Sequence, residues 1–568
     1  MKKFLHIHLT GFFLLTTGLF YIGKHGLHLS NLASHIFKYF SSIPNKDYTQ
    51  FDLQPYTGIL YFYLALSSII GGFIYIVLAN KISYYIQVCI ILFKKAILFF
   101  KNLPPSYKTA TALLVIINVL LKGFLLLQQP VFVDEAWTYL MFTQKSFLTS
   151  LSYYPAPNNH ILFSLLTNIS TLLPVNTLTA LRLPAFLLNI SVILSFIIVF
   201  GKLFTPKTAI FLAYIFSFGF AMIYYGYIAR GYMLYLWAFL ILFYIAIQFL
   251  KRQEFTTNYY CLWLMASVTG FWAIPAFLYP YASIVIFLTL YLFKFKYYQS
   301  LKKFVFLNLI TVFSVIWIYL PVLLVSGYKA LIANPYVTSM PHRSVLRHFF
   351  KHFNDTSWLL FNMPVLVTFV IFIGLVIFFK RNKWNTSVIF AFYLILTAPF
   401  IMLLHATVPA PRIWIYWLIP VFYLLGIILE THITNPLNNK ILVKLAGLLI
   451  LIQTGFFFYR IKTYNIESYE AKKMTAYLMK QNVNNIYFGK DTYLGASIVF
   501  NYLNRHKTIN YKQCFKNQDI NDFENFKWFI FRYPPSPDTC RQLGLTPLNI
   551  ITRKGSCHFL YRKINNEH

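Results

Sequence analysis

Asp134 and Glu135 stand side by side in VFVDEAWTYL, directly after an apolar segment that ends LLLQQP. A carboxylate within reach of a hydroxyl serves as a general base, and acids beside a membrane span are costly unless they act or pair. Acid is scarce in this chain, with 15 Asp plus Glu against 49 Lys plus Arg in 568 residues. Up to residue 460 the only other acids are Asp47, Asp52, Glu254, Asp355 and Glu430. Neighbours on a helix point about 100° apart, so the two need not share one ligand; one acts while the other orients it or pairs with a cation. The competing reading of Asp134 is an N-cap for a helix starting at Glu135.

Cations and histidines that could serve such a base recur in five further segments. His160 in PAPNNHILFSLL stands at the entrance of an apolar helix, where a neutral imidazole could hydrogen-bond a sugar or phosphate or have no role. Arg230 and Tyr232 lie in YYGYIARGYMLYL, between two apolar runs. A guanidinium there suits a phosphate, against the alternatives of pairing with Glu135 or snorkelling to headgroups. Arg182 in ALRLP is a weaker instance. His405 and Arg412 bracket a proline-rich stretch, HATVPAPR, and Arg412 is a second phosphate candidate. The rings that follow, Trp414, Tyr416 and Trp417, read as an interfacial aromatic belt. Residues 327–357 form a basic loop with His342, Arg343, Arg347, His348, Lys351 and His352, expected either to close on a lipid phosphate or to attract headgroups.

The elements that hold these residues are membrane helices. Hydrophobic residues make up 58% of the chain and aromatics 20%, with a mean hydropathy of +0.59. At about 20 apolar residues per crossing, spans are expected near 4–23, 57–79, 110–127, 181–201, 208–228, 231–250, 258–274, 275–293, 304–326, 358–379, 386–404, 413–430 and 441–459. The fold class is therefore an all-α polytopic membrane protein with about thirteen transmembrane helices and a small C-terminal α/β extracytoplasmic domain. Lys and Arg gather in alternate short loops, such as Lys202 and Lys207, Lys251 and Arg252, and Lys380, Arg381 and Lys383. This is the positive-inside pattern, and it places Asp134 and Glu135 on the outer face. It also accounts for the net charge of +34 without nucleic acid. Residues 82–100 are expected as an in-plane helix on the inner surface, and 160–174 as a helix at the outer interface.

The first helix reads as an uncleaved anchor rather than a signal peptide. Beyond residue 460 a helix at 467–480 and strands near 485–489, 527–533 and 557–563 are expected. The domains are then 1–105, an N-terminal membrane extension; 106–460, a transmembrane catalytic module; and 461–568, the extracytoplasmic α/β domain. The cysteines (Cys89, Cys261, Cys514, Cys540, Cys557) form no CxxC pair, so no zinc site is expected. An exported tail could hold one disulfide with one thiol left over.

Taken in order, the acidic pair after a core span, the helix-start histidine, LRLP, ARGYMLYL and the late PRIWIYWLIP resemble a GT-C glycosyltransferase. The similarity is to bacterial relatives of protein mannosyltransferases and of aminoarabinose transferases (families 39 and 83), over roughly residues 110–460. The resemblance implies a GT-C fold and an inverting glycosyltransferase of the bacterial cytoplasmic (inner) membrane, with its active site on the periplasmic side. Such an enzyme moves a sugar from a polyprenyl-phosphate donor to a hydroxyl of a glycan, lipid or protein acceptor. It implies Asp134 as catalytic base with Glu135 as its partner acid, and Arg230 and Arg412 near the donor phosphate; His160, Tyr232 and His405 are expected as further substrate-binding residues. His160 stands where relatives carry a histidine or lysine followed by two prolines, which Asn-Asn-His-Ile-Leu replaces here. No cofactor and no catalytic metal are expected; the lipid-linked sugar is a substrate. The rival functions are a flippase or transporter of lipid-linked sugars, and a polymerase or ligase of surface glycans.

Overall fold

The computed structural model describes residue 17 and residues 52–568, apart from 254–256, 333–338, 382–383, 433–438, 490–491, 493, 514–525, 534, 549–557 and 564–568. Among the described residues ten helices are long and apolar enough to cross a membrane. The count is eleven if His342–Phe361 and Val365–Arg381, bent by 75°, form one span. The chain is a multi-pass membrane protein. Of the thirteen spans expected, the one near 4–23 lies outside the described residues. Three others fall short: Thr257–Ala273 and Val365–Arg381 have 17 residues each, and the helix Pro206–Phe218 has 13. Pro206 opens that helix at its first turn, where a missing N–H costs nothing. Gly219 then leaves the helical region (ψ 148°) and the chain restarts as the short helix Phe220–Tyr224. Residues 82–100 belong to a continuous helix, Ala79–Lys101, whose Ser83–Lys101 stretch is itself long and apolar enough to cross.

The best buried helix is Tyr232–Arg252, in which nearly every side chain from Tyr232 to Leu250 is inaccessible. It packs against Thr177–Leu203, Thr257–Ala273 and Thr386–His405, so it is apolar all round, as a helix at the centre of a bundle must be. Aromatic rings fill this core: Phe196 stacks on Phe200 at 3.8 Å and on Phe216 at 4.3 Å.

Between Pro105–Gln128 and Thr177–Leu203 the chain stays at one end of the bundle. It forms Val133–Thr138, a π-helical turn Tyr139–Thr143, then Phe147–Ser152 and Ile161–Ser170. Each is too short to span. The expected basic loop over 327–357 is largely a helix, His342–Phe361. Val345, His352, Thr356 and Leu359, spaced seven, four and three residues apart, are buried, and this helical periodicity gives the helix its inward face.

The C-terminal region holds a five-stranded sheet, order β2-β1-β3-β5-β4, with β1 Asn485–Phe488, β2 Asn510–Gln513, β3 Trp528–Phe531, β4 Leu545–Leu548 and β5 Phe559–Lys563. β1 runs parallel to β2 and β3, whereas β5 is antiparallel to β3 and β4. The expected helix is Ile466–Lys480. Leu494–Leu503, Pro537–Leu543, β2 and β4 were not anticipated. Tyr224 donates to Asn465 Oδ1 (2.8 Å), Tyr469 to Gln129 Oε1 (2.6 Å), and the Tyr139 ring meets Phe500 edge-on at 5.1 Å. The C-terminal region therefore sits on the same end of the bundle as Asp134. Cys540 is a free thiol, and Cys514 and Cys557 lie outside the described residues.

Candidate active site

Phe132, not Asp134, is the N-cap of the helix Val133–Thr138, so both acids fall in its first turn. Glu135 reaches back to accept from Phe132 N–H at 2.8 Å. That contact satisfies one of the orphan donors of the helix start, and it leaves Asp134 free of any capping role. The two acids consequently have different fates.

Glu135 is fully buried and saturated. Oε1 accepts from Arg182 Nε (2.9 Å) and Ala229 N (2.7 Å); Oε2 accepts from Arg182 Nη2 (2.6 Å) and Phe132 N (2.8 Å). Arg182 is equally committed. Besides Glu135 it donates to the carbonyls of Leu126, Gln129 and Pro130 at 2.8–2.9 Å. These are the last carbonyls of Pro105–Gln128 and the residues after it, so Arg182 also caps that helix with a cation where the macrodipole favours one. Neither group has a donor or acceptor left for a substrate. Arg182, weighed in the sequence as a phosphate ligand, is the partner of the supporting acid.

Asp134 is 27% exposed and faces two other arginines: Arg412 Nη1 at 3.4 Å and Arg230 Nη2 at 3.8 Å. Arg230, at 2% exposure, is held by Asn158 through both its backbone and side-chain oxygens and by Thr138 Oγ1 at 3.3 Å. The Nε groups of Arg230 and Arg412 are buried and make no hydrogen bond. A buried guanidinium donor with nothing to bond costs about 1–3 kcal/mol, a cost that an anion seated between the two would remove. Counting three arginines and two carboxylates, the cluster carries one excess positive charge.

His160 is the N-cap of Ile161–Ser170 and is buried. Its Nδ1 accepts from Gly231 N–H at 2.9 Å, so the ring proton sits on Nε2. Burial, reinforced by the positive charges of Arg230 and Arg412, holds the imidazole well below its usual pKa, so it is neutral. Gly231 is required by this approach, since a Cβ there would stand 2.8 Å from Nδ1. Tyr232 packs its ring against His160 (5.2 Å) and Tyr225 (4.4 Å), with the Arg412 guanidinium over its face at 6.0 Å.

The loop that carries Arg230 is pinned at three points: Ala229 to Glu135, Gly231 to His160, and Met222 O to Asn189 Nδ2 (3.3 Å). Asn189 in turn accepts from the buried Lys122 ammonium at 2.6 Å. Lys122, Asn158 and Asn189 were missed in the sequence. A lone lysine inside an apolar helix was the available signal for the first, and the doublet Asn158-Asn159 beside His160 for the second.

Of the expected site residues, Asp134, Glu135, His160, Arg230, Tyr232 and Arg412 come together. His405 is exposed at the end of Thr386–His405, where Nδ1 meets Tyr279 Oη at 3.0 Å and Thr407 Oγ1 at 3.2 Å. It makes no contact with Asp134 or its arginines. The rings after Arg412 are no belt: Trp414 and Tyr416 are fully buried. Trp414 donates to His352 Nε2 at 2.7 Å, and Trp417 stacks on Phe353 at 5.7 Å. They lock the segment carrying Arg412 against His342–Phe361. Among the described residues no three of His, Cys, Asp or Glu stand close enough to hold a metal ion.

No family model matches the chain, and no curated protein matches it in sequence. Solved structures do match its fold. The crystal structure of ArnT from Cupriavidus metallidurans in the apo state superposes with a TM-score of 0.50 at 12% identity, covering 80% of this chain and 98% of that one. ArnT from the same organism bound to undecaprenyl phosphate gives 0.51 at 12% identity with the same coverage. The GT-C fold expected from the sequence is thus the fold of this chain, and its resemblance to GT-C membrane glycosyltransferases stands at the level of architecture.

Proposed function

We propose that this chain is an inverting glycosyltransferase that moves a sugar from a polyprenyl-phosphate donor to an acceptor hydroxyl, with Asp134 as the base. The observation that carries this reading is the solvent-accessible carboxylate of Asp134 between two arginines whose buried Nε donors are unfilled. A neighbour of the same fold that binds undecaprenyl phosphate supports a lipid-linked donor.

The acceptor oxygen attacks the anomeric carbon from the face opposite the phosphate. The carbon–oxygen bond to phosphate breaks, the acceptor proton passes to Asp134, and polyprenyl phosphate departs with the bonding electron pair. Arg230 and Arg412 stabilise the charge that builds on the leaving phosphate, the kind of preorganised contact that contributes most to catalysis. A donor phosphate that engages the two guanidinium groups loosens their hold on Asp134, so the base is uncovered only once the donor is seated. Glu135 and Arg182 keep the helix of Asp134 in register with the loop of Arg230, and neutral His160 serves as a hydrogen-bond donor to sugar or phosphate through Nε2–H.

The test is sugar transfer by the purified protein from polyprenyl-phosphate sugars, guided by mass spectrometry of envelope glycolipids and glycoproteins from cells with and without the gene. The expected result is a glycan that disappears without the gene and is not restored by Asp134→Asn. A normal glycan profile without the gene, or full restoration by Asp134→Asn, overturns the assignment.

A further inference from the structure

At the far end of the same helices lies a second cluster of cations. Tyr232, at the site, and Arg252 are the two ends of one helix, and Arg182 and Lys202 lie on another. Each pair is 20 residues apart, which at 1.5 Å per residue is about 30 Å, the thickness of a bilayer core. There a cavity of about 560 Å³ is lined by Lys95, Lys202, Tyr244, Gln248, Lys251 and Arg252. Three separate helices supply its four cations. Among the described residues no carboxylate lines it. Glu430 is turned to Thr205, accepting its N–H (2.8 Å) and hydroxyl (2.7 Å), and Glu254 lies outside the described residues. None of the four cations has an ion-pair partner among the described residues. Gln248, 6% exposed, lines the cavity from the same helix as Lys251 and Arg252. Four like charges in one cavity repel one another, so the described lining lacks a counter-charge.

We infer that this cavity binds a phosphate-bearing anion at the membrane surface opposite Asp134, of the class presented by anionic phospholipid headgroups. The size is that of a small-ligand site, and basic pockets between transmembrane helices take such headgroups. The phosphate oxygens accept from the Lys202, Lys251 and Arg252 side chains, with Lys95 closing from the neighbouring helix. Gln248 donates from the buried wall, and the Tyr244 ring, 5.7 Å from the Lys202 ammonium, backs that cation. The acyl chains lie along the exposed apolar face of Ala79–Lys101, where Ile90, Ile91 and Phe93 are uncovered.

The test uses the full-length protein in nanodiscs of phosphatidylcholine, titrated with phosphatidylglycerol or cardiolipin and read by native mass spectrometry. The double variant Lys202→Gln/Arg252→Gln is expected to weaken retention about 30-fold, at about fivefold per cation removed. Lys202→Arg/Arg252→Lys, which keeps both charges, is expected to bind as the parent does. Inorganic diphosphate forms the second arm. Lipid retained at millimolar diphosphate assigns the site to a headgroup. Displacement, with diphosphate itself retained on the parent but not on the double variant, assigns it to a soluble phosphate compound. Equal retention of both probes by the parent and a folded Lys202→Gln/Arg252→Gln variant overturns the inference.

Discussion

The two adjacent acids are expected to fail in opposite ways when each loses its charge. In Glu135→Gln one of the two carboxylate oxygens becomes an NH2. Oε1 receives Arg182 Nε and Ala229 N, and Oε2 receives Arg182 Nη2 and Phe132 N. Whichever way the amide turns, two donors face another donor, and Arg182 is left charged at 0% exposure. Breaking one side of a buried pair costs about 3–5 kcal/mol. Asp134→Asn, by contrast, removes a partly exposed carboxylate from contacts at 3.4 and 3.8 Å; such pairs are worth about 0–1 kcal/mol. The loss of a general base is expected to slow transfer about 100-fold or more. The assay is thermal unfolding of both variants in the same detergent beside transfer activity per folded molecule. Asp134→Asn should unfold like the parent and transfer no sugar; Glu135→Gln should unfold at distinctly lower temperature, with activity lost in step with fold. The reasoning is refuted if Glu135→Gln is as stable as the parent, or if Asp134→Asn keeps its rate.

Three other outcomes follow from the geometry. Arg412→Gln should raise the KM for the lipid-linked donor about tenfold or more, the worth of a charge-assisted hydrogen bond; unchanged donor affinity would remove Arg412 from the phosphate site. His160, neutral in the fold, ionises near pH 6.5 once the chain unfolds. As the pH falls below that value the unfolded chain therefore takes up the proton first and stability declines toward the lower folded pKa. His160→Asn, whose Oδ1 can replace Nδ1 as acceptor, should flatten that slope in unfolding measured from pH 7.5 to 5. Gly231→Ala, with its Cβ 2.8 Å from His160 Nδ1, should cost about 1–3 kcal/mol and reduce transfer, whereas Gly447→Ala, which meets nothing within 4 Å, should do neither.

What the sequence disclosed and what it hid follow physical lines. The acidic pair was legible because charge beside apolar runs is rare, and the architecture was legible because apolar length is local information. Arg182 as the partner of Glu135 was not, since the two are 47 positions apart and any arginine near a helix start would read the same. Trp414 and Tyr416 looked interfacial because an amphipathic ring suits both a headgroup layer and a packed core; their full burial and the Trp414 bond to His352 separate the cases. The break at Gly219 was concealed by apolar residues running through it on both sides. β2 and β4 escaped because four-residue strands carry too little alternation to register.

The bonds made by Glu135 also set an order of events during biosynthesis. Its own backbone contact at Phe132 is available at once, but Arg182 emerges 47 residues later and Ala229 94 residues later. At about 5–20 residues per second, the carboxylate waits about 5–20 s before its last donor is made. An uncompensated acid is costly in hydrocarbon, so the segment around Asp134 is best kept in water while Thr177–Leu203 and Pro206–Phe218 are made. The arginines then arrive to meet acids already stationed at the membrane border.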